Sequence, residues 1–546
     1  MVGRTIAIAV VLFVSSHASA GTYVVSPDGN DGHDGVSSPW LTIQHAIGAL
    51  PPGDHTIELS PGTYAEKGSL DLSKARVGNL TLKSKDPANP AVITSSDDKQ
   101  VVYLAGDGGI KSLSFSGVSL VPSKATHLAH IDVQAVKLAF DHCSLTANSA
   151  LVETTERASE VTIDFSSCKI NSEAQGLIVK SAKTVSLKKC ALAWDDGAFV
   201  QGPARSIVFD GCTVEGPVEA QFFSFGRDRS DKRIATVAAN RGDKRVDLLQ
   251  VSDCEGTCGV LLWEHGGIRQ LLVTGNKIQW KYTGRVIGAG PEISWNQTAP
   301  LVDPAPFEKI VIAHNKFQFP DGTSHAIFLS KGADNSQIVD NVLIMNNAKQ
   351  YGIVVKSDHN LFESNIVYGG DYGFILAGSS RNKLRHNTIY ASKGVALAIC
   401  PNQEEVVPPE GTYGQSRDNV LEDNILISAD GLALSQEEWR THHSHTWNTR
   451  CDRNVYWNMA GGDVIRLPRA SVPQKGGVAA VRAQWGKTYP GGGPAEDNDK
   501  NSVVADPLLS APPTDFSLRP GSPALLMDQA SNMNAGAWQK ADKPKP

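Results

Sequence analysis

An asparagine that returns about every 22 residues is the feature that most constrains how this chain can fold. Between residues 351 and 390, Tyr351-Gly352-Ile353 returns as Tyr372-Gly373-Phe374. An apolar alternation follows each asparagine of the series, whose members are Asn276, Asn315, Asn341, Asn365, Asn387 and Asn424. A period in the low twenties with short β-type runs predicts coils that stack on one another.

Cysteine takes the same position upstream, at Cys143, Cys168, Cys190, Cys212 and Cys254. A column of buried asparagines can pass amide hydrogen bonds along a stack and satisfy backbone groups in the turns. Cysteine suits the same place because it is small and readily buried. The predicted fold class is therefore all-β, a parallel β-helix with three-strand coils of about 22–25 residues.

The chain has eight cysteines, which in an exported protein usually indicate disulfides. The five that recur with the coil are predicted to be buried ladder thiols. Cys258, Cys400 and Cys451 lie off this register, and a bridge from Cys400 to Cys451 is one alternative. A bridge between two stacked ladder cysteines is another, because stacked Cα atoms fall within bonding range. No Cys/His spacing indicates structural zinc.

The first twenty residues, MVGRTIAIAVVLFVSSHASA, have the layout of a cleaved secretory signal. Arg4 precedes an apolar run, and cleavage is expected after Ala20. The apolar run is shorter than the roughly 20 residues that a membrane span needs. We therefore predict a secreted or periplasmic protein without a transmembrane segment, and a monomer. The formal net charge of -6, with both signs mixed, argues against a nucleic-acid partner.

Both ends of the chain carry motifs of a known superfamily. The opening TYVVSPDGNDG, with SPW, PPGD and PGTY after it, and the closing DRNVYW, ADPLL and DFSLRPGSPA are these motifs. They resemble the ends of secreted right-handed parallel β-helix proteins of the pectate-lyase-like superfamily. The resemblance implies an elongated polysaccharide along one face. The predicted organisation is a signal peptide (1–20), an N-terminal cap (21–95), the β-helix (96–458) and a loop-rich C-terminal cap (459–546).

The stretch IVVKSDHN is similar to the lysine-bearing coil of the chondroitinase B and alginate lyase family. That resemblance implies Lys356 as the general base and Ca²⁺ as the cofactor. The glutamate pair that holds calcium in that family is replaced here by Lys349 and Tyr351, and its arginine falls at Leu376 to Gly378. The metal ligands therefore stay unassigned. Motifs of pectate lyases, polygalacturonases and alginate epimerases do not occur.

Aligning the coils predicts one line of polar and aromatic side chains at a strand end: Lys180, Gln201, Trp263, Ser330, Lys331 and Lys356. Rings for pyranose faces and cations for uronates are what a sugar-binding face needs. Lys331 and Lys356 lie on adjacent coils, where neighbouring like charges lower the pKa of one ammonium group. Lys356 would then abstract the C5 proton of a uronate, and Lys331 would stabilise the enolate charge. The alternative is that both lysines only solvate the edge.

Two further stretches supply candidate site residues. LWEHGG places Glu264 and His265, an acid and a base, beside the stacking ring of Trp263, although a surface turn explains it equally. QWKYTGR contributes Trp280 as a second stacking platform and Arg285 as a binding or charge-stabilising cation. Long loops on a rigid scaffold often hold binding residues.

The leading prediction is a carbohydrate-active protein that cleaves a uronate-containing polysaccharide by β-elimination. A glycoside hydrolase would instead use the carboxylate pair Asp195-Asp196, which an Asx turn explains as well. A non-catalytic polysaccharide-binding or surface-structural β-helix is the rival class. A periplasmic metal-accessory protein is a third reading, suggested by a histidine cluster: His442, His443 and His445.

Overall fold

Three strands per coil form three parallel sheets in the computed structural model of this protein. Each coil supplies one strand to each sheet, as the asparagine period predicts, and the architecture is an all-β right-handed parallel β-helix. The structure describes residues 20–536 except 74, 96–98, 107–108, 123–126, 201, 217–220, 226–244, 259, 265–267, 281–286, 290–306, 320–324, 331, 347–348, 401, 408–411, 415, 437–447, 468–469, 489–496 and 526–534.

The first sheet has sixteen strands. Its inward side chains stack from coil to coil, as Phe115, Phe140 and Phe165 do at centroid distances of 5.3 and 5.0 Å. Its strands are Gly21–Val25, His55–Leu59, Asn79–Ser84, Ser112–Ser116, Lys137–Asp141, Thr162–Ser166, Ala182–Lys188, Ala204–Asp210, Val246–Ser252, Ile268–Thr274, Lys309–Ala313, Gln337–Val339, Leu361–Glu363, Lys383–Arg385, Val420–Glu422 and Arg450–Asp452.

The second and third sheets are joined by two long strands, Lys169–Val179 and Ala191–Val200, which belong to both. The other strands of the second sheet are Thr63–Glu66, Val92–Ser95, Ser119–Leu120, Ser144–Ala147, Thr213–Glu215, Glu255–Cys258, Lys277–Trp280, Lys316–Phe319, Val342–Met345, Ile366–Tyr368, Thr388–Ala391, Ile425–Ser428, Val455–Asn458 and Val503–Val504. Those of the third sheet are Leu70–Asp71, Val102–Ala105, His127–Asp132, Ala150–Thr154, Gln221–Phe225, Val260–Glu264, Ile287–Ala289, His325–Leu329, Tyr351–Val355, Tyr372–Ala377, Val395–Cys400, Leu432–Gln436 and Asp463–Leu467.

A few elements lie outside the regular coils. Ala470–Pro473 pairs antiparallel with the last strand of the third sheet. Two hairpins are formed by Asn402–Val407 with Thr412–Gly414 and by Leu509–Ala511 with Asp515–Leu518. The helices are Ile43–Ala49, Gly477–Thr488 and a 3-10 turn at Gln474–Gly476. No helix in the described part of the chain is long and apolar enough to cross a membrane.

The asparagine ladder occupies the turn between the first and second sheets. Asn365 Oδ1 accepts hydrogen bonds from the backbone N–H and Nδ2 of Asn341, at 3.1 and 2.9 Å. Asn365 Nδ2 donates to the carbonyl of Ile338 at 2.6 Å and to Oδ1 of Asn387 at 3.0 Å. The preceding residue, Ser364, has a φ of 56°, which turns the chain into the next sheet. The predicted ladder is confirmed, and it extends one rung further, to Asn454.

The ladder cysteines act as hydrogen-bond donors in the same position. Cys168 Sγ donates to the carbonyl of Phe140 at 3.3 Å, the counterpart of the bond from Asn365 to Ile338. All eight cysteines are free, so the alternative bridge between Cys400 and Cys451 is wrong. Cys451 is buried inside a strand of the first sheet, whereas Cys400 ends a strand of the third sheet.

A second asparagine ladder, which the sequence analysis did not identify, lies in the turn between the third and first sheets. Asn360 Oδ1 accepts from the backbone N–H of Ser336 at 2.8 Å, and Asn382 and Asn419 continue the series. The two ladders hold both ends of the first-sheet strands in register. Buried backbone groups in these turns are therefore satisfied without water.

The C-terminal segment folds back over part of the second sheet. Phe516 packs against Val342 and Ile366, while Ala524 and Ala535 pack against Ile425. The outer face of the second sheet is consequently covered along its last coils. The first parallel strand of the first sheet is Gly21–Val25, which lies inside the predicted N-terminal cap. The division of the chain into caps and β-helix stays a prediction.

Candidate functional site

Basic and acidic side chains from three successive coils meet at Glu153, on the outer face of the third sheet. His130 and Glu153 are directly paired residues of neighbouring strands, and Nδ1 of His130 lies 3.0 Å from Oε2 of Glu153. Nε2 of His127 lies 3.3 Å from the same oxygen. Lys180, one coil further on, donates to Oε1 at 2.7 Å. Both carboxylate oxygens are thus engaged by basic groups.

The contact with Glu153 fixes the tautomer of His130. An ionised carboxylate can only accept hydrogen bonds, so Nδ1 of His130 carries the proton in this contact. In the neutral ring Nε2 then holds the lone pair, and within the described part of the chain no hydrogen bond to it is seen. A histidine oriented by a carboxylate in this way is equipped to act as a general base.

Burial and neighbouring charges shift the pKa values of Glu153 and His127. Burial by itself would raise the pKa of Glu153, but the hydrogen bonds from Lys180 and His130 outweigh it and leave the pKa below its ordinary value. Burial is also the main cause that lowers the pKa of His127, and the Glu153 charge offsets only part of this. At neutral pH the site therefore holds an anionic Glu153 and a neutral His127.

An aromatic ring completes this arrangement. Tyr103 pairs with His130 on the preceding coil, and the two rings stack with centroids 5.7 Å apart. We call Tyr103, His127, His130, Glu153 and Lys180 the Glu153 cluster. It combines an oriented base, a cation and a ring on the open face of one sheet.

A second group of rings lies further along the same face. His325, Tyr351 and Tyr372 are paired in register on consecutive coils, with ring centroids 5.1 and 5.5 Å apart. Phe328 lies edge-on to His325, and the ammonium group of Lys356 lies 5.5 Å from the centre of the Phe328 ring. We call His325, Tyr351 and Tyr372 the aromatic ladder.

The structure places two of the predicted residues at these groups: Lys180 lies in the Glu153 cluster, and Lys356 lies over Phe328, whose ring contacts His325 of the aromatic ladder. Because Leu329 pairs with Val355, the residue beside Lys356 on the preceding coil is Ser330. Lys331 itself is outside the described residues, and its proximity to Lys356 stays a prediction. Gln201, His265 and Arg285 also lie outside the described residues, as do His442, His443 and His445.

Two predictions need correction. Trp280 is fully buried at 0% exposure, with its ring edge-on to Phe317, so it cannot serve as a stacking platform for a ligand. Trp263 does not share the register position of the lysines. Its backbone pairs with Gly288, which pairs with Phe328, two positions before Ser330. For Glu264, Asp195 and Asp196 the structure describes the backbone alone, and Glu264 pairs with Ala289.

The sequence analysis missed four members of the Glu153 cluster. Tyr103, His127, His130 and Glu153 belong to three coils and form no contiguous motif. The signal available was the pair His127 and His130 in the short strand HLAHID, one coil before Glu153. Among the described residues no three His, Cys, Asp or Glu side chains form a group able to hold a metal ion.

The coil, the ladders and the three parallel sheets define this chain as a right-handed parallel β-helix protein. In sequence, residues 306–408 match the family described as NosD, a periplasmic copper-binding protein. No curated protein matches the chain.

Several solved structures are similar in fold. A family 6 polysaccharide lyase from Pseudopedobacter saltans is 11% identical, with 92% of this chain and 95% of that chain covered and a TM-score of 0.32. A mannuronic-acid-specific family 6 lyase from human gut microbiota is 10% identical, with 82% and 83% covered and a TM-score of 0.26. The A-module of a mannuronan C-5 epimerase from Azotobacter vinelandii is 11% identical, with 77% and 89% covered and a TM-score of 0.23. At these values the likenesses carry no argument about chemistry.

Proposed function

We propose that this protein is exported, binds a uronate-containing polysaccharide on the outer face of the third sheet, and cleaves it by β-elimination at the Glu153 cluster. The observation that carries the proposal is the 3.0 Å contact between His130 and Glu153, with Lys180 bound to the same carboxylate. A base held by an anion and flanked by an ammonium group matches the two requirements of uronate elimination. These are removal of a weakly acidic proton and stabilisation of the charge that develops next to the carboxylate.

The reaction proceeds at a uronate bound against the Glu153 cluster. Nε2 of His130 takes the C5 proton, and the electron pair of that C–H bond forms the C4–C5 double bond. The bond from C4 to the glycosidic oxygen breaks, and the leaving oxygen takes a proton from solvent. Lys180 has further N–H donors besides the one given to Glu153, and the proposal assigns them to the substrate carboxylate. Tyr103 extends the apolar surface of the His130 ring for the sugar.

Lys356, the base predicted from the sequence, takes a binding role in this proposal. A positive charge over an aromatic ring is stabilised by the ring, and the ammonium of Lys356 lies over Phe328. Proton abstraction is assigned to His130 here, so Lys356 does not have to act as the base. A cation held beside rings is instead suited to binding uronate carboxylates.

The test is incubation of the chain from Gly21 onward with a panel of acidic polysaccharides, with and without Ca²⁺. We expect the ultraviolet absorbance of unsaturated uronates to rise, and His130→Ala to abolish the rise. His142→Ala is the matched control, because His142 is an exposed histidine in a turn of the first sheet. Absorbance that persists in His130→Ala would refute the assigned base. New reducing ends without absorbance would indicate a hydrolase and direct attention to Asp195, Asp196 and Glu264.

Metal handling in the periplasm is the second candidate, favoured by the match of residues 306–408 to a copper-binding family. Among the described residues, no group of three His, Cys, Asp or Glu side chains is arranged to hold a metal ion. Titration of the purified protein with copper, followed by equilibrium dialysis and metal analysis, tests this candidate directly. Stoichiometric binding lost on replacing His442, His443 and His445 would support it.

A further inference from the structure

The Glu153 cluster and the aromatic ladder lie on one continuous face, at a distance fixed by the coil. Every strand of the third sheet between the two groups pairs with the next. Starting from Glu153, the successive paired residues are Ile178, Phe199, Ser224, Trp263, Gly288 and Phe328. Six strand spacings separate Glu153 from Phe328, which amounts to about 29 Å along the helix axis.

The two groups share their chemistry as well as their face. Lys180 follows Val179 and Lys356 follows Val355, so each lysine stands just after a strand of the third sheet. At one end, Lys180 binds Glu153, and the ring of its partner His130 stacks on Tyr103. At the other end, Lys356 lies over the ring of Phe328, which is edge-on to His325 of the aromatic ladder. The side chains of His325, Tyr351 and Tyr372 are partly exposed.

We infer that the aromatic ladder with Lys356 is a second, distal binding subsite for the same anionic polysaccharide, which lies extended along the helix axis and contacts both groups at once. This inference rests on the proposed function. A linear chain of carboxylated sugars is complementary to two cations on one straight face, and its pyranose rings supply apolar faces for the aromatic side chains.

Linking two subsites through one ligand makes binding depend on ligand length. A chain shorter than the separation engages one group only, whereas a longer chain engages the second as an intramolecular event. Affinity should therefore rise steeply once the contour length of the oligosaccharide exceeds roughly 30 Å.

The experiment measures binding of size-fractionated acidic oligosaccharides by calorimetry, in a His130→Ala background so that the chains stay intact. We expect Lys356→Ala, and separately Tyr351→Ala with Tyr372→Ala, to weaken binding of chains longer than roughly 30 Å by about tenfold. Chains shorter than that should bind as tightly as before. Lys383→Ala is the matched control, because Lys383 is an exposed lysine on the first sheet.

The outcomes separate the two proposals. Binding of long chains that is unchanged in both ladder variants, or affinity independent of length, would overturn the distal subsite and leave the Glu153 cluster intact. Equal weakening of short and long chains would also overturn it, because the ladder would then belong to the same subsite. No binding of any acidic polysaccharide at any length would overturn the proposed function itself. Circular dichroism of each variant verifies that the coil is retained.

Discussion

Nδ1 of His130 lies 3.0 Å from Oε2 of Glu153, on neighbouring strands where the two residues are directly opposite each other. In a parallel sheet such a pair is held in place by backbone hydrogen bonds on both sides, so the orientation of the imidazole does not depend on a loop. Replacing either partner therefore changes the chemistry at this point without removing the scaffold that positions it.

Glu153→Gln should reduce the elimination rate by about a hundredfold or more, because a neutral amide, which can donate as well as accept, no longer fixes the tautomer and orientation of His130. Initial rates of unsaturated-uronate formation measure the effect. Glu215→Gln, an exposed glutamate on the second sheet, is the matched control and should keep the wild-type rate. A Glu153→Gln enzyme with full activity would contradict the assigned dyad.

Glu153 also predicts a pH dependence of stability. Its pKa in the folded protein lies below the ordinary value of 4.5, so the unfolded chain takes up this proton first as the pH falls. The stabilisation is present at neutral pH and is lost as the pH drops below about 4.5 toward the folded-state pKa. Urea unfolding between pH 7 and pH 3 should show a shallower decline for Glu153→Gln than for the wild type. Parallel curves would show that the carboxylate contributes nothing.

Asn365→Ala should lower the free energy of unfolding by about 2–5 kcal/mol, because the Ile338 carbonyl and both Asn341 donors lose buried partners. Asn365→Cys should cost less, since cysteine in this position elsewhere in the chain donates to the equivalent carbonyl. Denaturant unfolding compares the two variants. Asn346→Ala, at an exposed asparagine, is the control. Equal losses for Ala and Cys would show that the thiol does not replace the amide.

Asp499→Ala should loosen the C-terminal end of the β-helix. The buried carboxylate of Asp499 accepts hydrogen bonds from Tyr456 at 2.8 Å, Trp485 at 2.7 Å and Ser502 at 2.7 Å. Its removal leaves three buried donors unsatisfied, at about 1–3 kcal/mol each. Hydrogen exchange should accelerate in the strand Val455–Asn458 and remain unchanged in coils near Cys168. Uniform acceleration along the chain would mean that the coils unfold as one unit.

The fold could be predicted from the sequence because its ladder residues recur, with three consecutive steps of 26, 24 and 22 residues that each correspond to one coil. Asn365 and Asn387 occupy structurally identical turns, and the spacing between them is the circumference of one coil. The second ladder was harder to recognise, since Ser336 takes the first position where Asn360 and Asn382 follow.

The candidate site could be predicted only in part, because it depends on strand register and on which side of a strand each residue faces. In Lys277–Trp280 exposed and buried residues alternate, so Trp280 points inward with Ile278. A shift of one residue along the strand would place the same ring on the outer face, where it could stack on a ligand. His130 and Glu153 are 23 residues apart, and nothing in that interval marks them as neighbours until the register of their strands is known.

Every coil contacts only its neighbours above and below, so the number of coils can change without altering any single rung. Deleting the twenty-two residues from Ala191 to Cys212 would join Cys190 to Thr213 and keep the order of the ladder. The coils carrying Lys180 and Lys356 would then move closer by about 4.8 Å, while the side chains around each lysine stay as they are. Insertion or loss of whole coils is thus a route by which a protein of this kind can change the length of chain it accommodates, in discrete steps and without redesigning either end.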